Sequence, residues 1–109
     1  MIKKYLFKDF CDVGEMGYDD SSYFTIQLPN LKEKNALGRM IAETNGNQFD
    51  AVDIIIEMAE GLVKEIFVIP LDDTGPITTL NDLSCCEIGN RFIEFFMELV
   101  RNGFVPKKK

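Results

Sequence analysis

A chain of 109 residues with a formal charge of −6 and no histidine has the size of one domain. Its acidic surface repels phosphate backbones and anionic lipid, which argues against direct nucleic-acid or membrane binding. The missing imidazole removes the commonest general base, the commonest metal ligand and every catalytic triad built on it. Apolar residues make up 46%, nine of them phenylalanine, enough to offset the ordering entropy of a single core.

Residues 2–7 read as a strand, because Tyr5, Leu6 and Phe7 favour extended backbone. No signal-peptide core follows Met1, and no apolar run approaches about 18 residues. Residues 9–22 read as an acidic loop with Gly14, Gly17 and five carboxylates, Asp9, Asp12, Glu15, Asp19 and Asp20. Calcium favours such oxygens, but the glycine and closing glutamate of an EF-hand loop are absent, so a solvated loop is expected. Residues 23–28 read as a second strand, Phe24, Ile26 and Leu28 alternating with Thr25 and Gln27 until Pro29. The two strands are expected to pair as a hairpin or to join a small antiparallel sheet.

Residues 31–44 read as a first helix with a narrow stripe of Leu37, Met40 and Ile41, stopped at Asn45-Gly46-Asn47. A second helix starts near Phe49 or Asp50 and runs to about Ile66. Phe67, Val68 and Ile69 continue as a last turn or a brief strand. Residues 72–76 form a turn, after which Ile77 can add a short strand. Thr79 with Asp82 resembles a cap, and Ser84 with Glu87 fits a capping box. A third helix then spans residues 85–101, stopped by Asn102-Gly103 and kept from resuming by Pro106. The order β-β-α-α-α predicts an α+β fold, with a hairpin or small sheet packed on about three helices. One domain is expected over residues 1–106, followed by the basic tail Lys107, Lys108 and Lys109.

On the third helix Ile88, Phe92, Phe95 and Leu99 fall on one line and predict a core face. The second helix is broader. Val52, Ile56, Ala59, Val63, Ile66 and Phe67 make a central stripe, and Ile54, Ile55, Met58 and Leu62 widen it to an arc of roughly 220°. Either that helix is the centre of the domain, or the surplus at Ile54, Ile55, Met58 and Leu62 meets a partner chain or a second copy.

Sites for chemistry are scarce. There is no P-loop, no dinucleotide fingerprint and no zinc spacing, so no catalytic residue, metal or cofactor is expected. Three cysteines, Cys11, Cys85 and Cys86, are an odd number without a disulfide pattern, which suggests a reducing, cytoplasmic compartment. Cys85 and Cys86 near a helix start could serve redox chemistry or be inert.

Some further segments stand together: Leu28-Pro29, the apolar run of residues 50–58, Asp72-Asp73-Thr74-Gly75 with Leu80-Asn81-Asp82-Leu83, and a closing helix at Val100-Arg101-Asn102. This layout resembles that of phage tail assembly chaperones, short acidic proteins whose extended N-terminal segment leads into a helical part. The resemblance implies a chain that coats the long helical tape-measure protein, in the cytoplasm of a bacterial host, until tail tube subunits assemble. The expected function is non-enzymatic binding of a partner's apolar helix, with self-association as an accompaniment. The rival reading is an acidic nucleic-acid mimic that presents the carboxylates of residues 9–20 to a basic groove.

Overall fold

In strand β2 (Tyr23–Gln27) the residues alternate between buried and half-buried, as one covered and one open sheet face demand. It is the middle of a three-stranded antiparallel sheet of order β1-β2-β3, flanked by β1 (Ile2–Leu6) and β3 (Val63–Phe67). The small-sheet form of the α+β expectation therefore holds. The structure, a computed structural model, describes residues 1–44, 47–72 and 74–104, and the side chains of these except Gln48 and Phe49. The expected helix stop at Asn45-Gly46, the turn residue Asp73, Pro106 and the tail of residues 107–109 lie outside the described residues.

The register places Tyr5 beside Phe24 and Phe24 beside Ile66 on the inner face. A bulge between Thr25 and Ile26 shifts the pairing, so that Ile26 opposes Val63. The outer face carries Lys4, Tyr23 and Glu65. The Tyr23 hydroxyl donates to Glu65 Oε1 at 2.6 Å, and Lys4 Nζ lies 4.2 Å from the Tyr23 ring centre.

Residues 63–66 are the main correction to the expected second helix. Helix α3 ends at Leu62 (Gln48–Leu62), and Val63 opens β3. The β-branched residues Val63 and Ile66 lie just beyond Gly61 and gain a ladder against β2 that no helix offers them. Beyond β3, Val68 and Ile77 exchange both backbone hydrogen bonds, at 3.0 and 2.8 Å, as an isolated bridge, so the expected short strand at Ile77 is a single pair outside the sheet. Between them Asp72 accepts from the Thr74 amide at 3.1 Å, and Gly75 takes φ +86°, a conformation that favours glycine.

The expected loop of residues 9–22 is more ordered than its composition suggests. A 3-10 turn (Phe7–Asp9) and a short helix α1 (Val13–Met16) pin Phe7 and Val13 into the core. Asp12 caps α1 by accepting from the Glu15 amide at 3.2 Å. Ser22, fully buried, accepts from the Ile69 amide at 3.0 Å and so ties this segment to the end of β3.

Helix α2 (Leu31–Ala42) starts at a capping box: Asn30 accepts from the Glu33 amide at 2.8 Å, and Glu33 accepts from the Asn30 amide at 3.2 Å. Helix α4 (Leu80–Ser84) is capped by Thr79 as expected. The capping box at Ser84 does not form. Ser84 closes α4, its hydroxyl donating to Asn81, and Cys86 is the residue before α5 (Glu87–Arg101). α4 and α5 nearly touch at Gly89, where an added Cβ would stand 2.2 Å from the Leu83 carbonyl oxygen.

The core lies between the inner sheet face and α5. Phe24 meets Phe92 edge-on at 4.9 Å and Phe7 at 5.5 Å, and Phe92 neighbours Phe96 at 5.8 Å. Full burial of each such ring contributes about 1.5–3 kcal/mol. Gly103 at φ 62° stops α5, and Phe104, also at φ 62°, turns back onto Phe96. No described helix is long and apolar enough to cross a membrane.

Candidate partner groove

The structure separates the four residues singled out on α3. Ile55 and Met58 are core side chains, 0% and 5% exposed, whereas Ile54 and Leu62 are half-buried at its border. The reason is the early end of the helix. Without residues 63–67 its buried stripe becomes Ala51, Ile55, Met58 and Ala59, the i, i+4, i+7, i+8 spacing of a single face. Ile55 and Met58 are therefore covered by the chain itself, and the open part of α3 lies beside them, at Val52 and Ile54.

Val52 borders a groove of about 730 Å³ framed by three helices. α2 and its end contribute Gly38, Ile41, Ala42 and Thr44; α3 contributes Ala51 and Val52; α5 contributes Ile93, Glu94, Met97 and Arg101. The α5 wall of the groove is the side that carries Ile93 and Met97. Ile93 and Met97, one turn apart, are half-buried there while Phe92 and Phe96 turn inward. The small residues Gly38 and Ala42 leave the α2 wall low. At Thr44 the groove meets a second depression of about 410 Å³ lined by Met40, Glu43, Asp50, Asp53 and Ile54. Glu94 pairs with Arg91 at 3.5 Å. Glu43, Asp50 and Asp53 form no ion pair with any described cation.

The other candidates look less like sites. Cys85 and Cys86 are free, and Cys86 Sγ donates to the Asp82 carbonyl at 3.4 Å. Cys86 borders a cleft of about 420 Å³ with Tyr18, Asp72 and Asp82. Burial there raises the Tyr18 phenol above its ordinary range, with Cys86 and Asp72 adding to the effect. Burial likewise raises the Cys11 thiol, which donates to the Phe7 carbonyl at 3.3 Å. Among the described residues no group of His, Cys, Asp or Glu side chains could hold a metal ion.

The acidic segment uses part of its charge locally. Asp12 caps α1, and Asp19 accepts from the Ser21 amide at 2.9 Å and from its hydroxyl, which holds its carboxyl below the ordinary range.

No family model matches this chain, and neither a curated protein nor a solved structure matches it.

Proposed function

We propose that this chain is a non-enzymatic assembly protein that holds an apolar helical segment of a partner in the groove between α2, α3 and α5. The observation that carries this reading is the groove itself. Val52, Ile93 and Met97 are half-buried apolar side chains on three-helix walls open to solvent, the form that helix-in-groove recognition uses. The Thr44 hydroxyl in its lining donates to the Ile41 carbonyl and not to a carboxylate, which supports binding over catalysis. The likeness to phage tail assembly chaperones names the partner class: a long helical protein such as the tape-measure protein, which needs cover before its tube assembles.

Co-expression tests this. The partner to test is any very long, mainly helical protein encoded beside this gene, and the expected result is a stable complex seen on size exclusion. Met97→Asp places a carboxylate on the groove wall and should abolish the complex while circular dichroism stays unchanged. A complex that survives Met97→Asp, or a partner that aggregates equally with and without this chain, refutes the proposal.

A further inference from the structure

The groove selects its occupant by backbone chemistry as well as by shape. Its walls are the sides of helices, whose main-chain groups are consumed within each helix, and the described lining includes no strand edge. The Thr44 hydroxyl already donates to the Ile41 carbonyl at 2.7 Å. An extended segment laid against Ile41, Ala51, Val52, Ile93 and Met97 would leave its own N–H and C=O groups without partners. A helix satisfies them internally.

Charge then fixes the kind of helix. At the α2–α3 end Glu43, Asp50 and Asp53 surround the apolar pair Met40 and Ile54, with no described cation paired to them. Among the described residues the only cation lining the groove is Arg101, on α5. An acidic rim beside an apolar floor repels anionic helices and attracts cationic ones. We infer that the groove docks an amphipathic partner helix whose apolar face is flanked by lysine or arginine, the basic side lying along Glu43, Asp50 and Asp53. This rests on the protein-binding reading above and adds to it the chemistry of the partner.

Two labelled synthetic peptides test it against the full chain by fluorescence anisotropy. Both are about 18 residues, or five turns, with leucine and isoleucine on one face. One carries lysine on the flanks, the other glutamate at the same positions. The lysine peptide is expected to bind about tenfold more tightly, as several rim pairs of modest worth imply. The difference should shrink as salt rises.

Glu43→Lys with Asp53→Lys should invert the preference with an unchanged far-UV spectrum. The first of these changes places a cation at the end of α2, where the helix dipole favours it. Equal binding of the two peptides, unmoved by the charge reversal, overturns the inference and leaves helix binding intact. Failure of both peptides to bind the folded chain overturns both. Sedimentation showing a dimer that Met97→Asp dissociates also overturns it, since a second copy would then be the occupant.

Discussion

Helices α5 and α2 both have an amphipathic pattern, yet the fold treats them differently. α5 buries Ile88, Gly89, Phe92, Phe96, Leu99 and Val100, with Phe92 on the sheet residue Phe24 and Gly89 against α4. α2, with twelve residues, buries only Ile41, and it leaves Leu31 74% and Met40 37% exposed. The first is fixed by packing, the second mainly by its capping box and one anchor. Stability therefore concentrates on the α5 side of the molecule, while the α2 side frames an open apolar surface. That surface consists of the half-buried side chains Val52, Ile93 and Met97 beside the core residues Ile41 and Ala51.

Truncation on the two shoulders of α5 puts this contrast to its strongest test. Phe92→Ala removes a ring 1% exposed that touches Phe24, Phe7 and Phe96, and should cost about 3–5 kcal/mol in urea unfolding. Met97→Ala, on the groove side, should cost no more than about 1.5 kcal/mol. Similar losses at both positions would erase the distinction between a closed and an open side.

Gly89→Ala probes the closed side by addition instead of removal. The new methyl has to push away the Leu83 carbonyl, which is main chain and cannot rotate aside. α4 would move off α5, at a cost of about 1–3 kcal/mol. The same change at Gly38, on the groove wall with open space around its Cβ, should leave stability unchanged or slightly raise it through helix propensity. A Gly89→Ala protein as stable as the parent would mean that α4 is not held against α5.

The elements that sequence made visible are those whose signal is local. β2 shows in its alternation, α5 in a stripe with 3.6 periodicity, and the helix stop in Asn102-Gly103. Residues 63–66 misread because Val63 and Ile66 stand at spacings that also continue a helical stripe; only their pairing with residues 23–26, about forty positions away, makes them a strand. Val13 escaped because a helix of four residues is too short to show a period, and Phe7, read as the end of the first strand, instead opens a 3-10 turn. The groove was hidden for another reason. Its lining is split over three helices, and Ile93 and Met97 lie off the line of Ile88, Phe92, Phe95 and Leu99 that marks the core face. The low wall at Gly38 and Ala42, beside a stripe as narrow as Leu37, Met40 and Ile41, is the signal that could have marked it.

The closed side has one flaw, and it gives the smallest of these effects. The Tyr5 hydroxyl is buried without a hydrogen-bond partner among the described residues, although its ring stacks on Phe24 at 5.4 Å and meets Phe95 edge-on at 5.5 Å. A buried donor left unpaired is costly, and removing it while keeping the ring is favourable. Tyr5→Phe should therefore stabilise the fold, by up to about 1 kcal/mol. Burial also raises the Tyr5 phenol above its ordinary range. Its folded-state pKa is then higher than that of the unfolded chain, so above about pH 10 the unfolded chain loses the proton first and stability falls as pH rises through the folded value. Without the phenol this part of the alkaline decline disappears, while the parts due to Tyr18 and Tyr23, also raised, remain. Urea midpoints of the parent and Tyr5→Phe, measured from pH 7 to pH 11, should differ in favour of phenylalanine throughout, with the gap widening above about pH 10. A lower midpoint for Tyr5→Phe at pH 7 would show that the hydroxyl has a partner and that this corner of the core is fully satisfied.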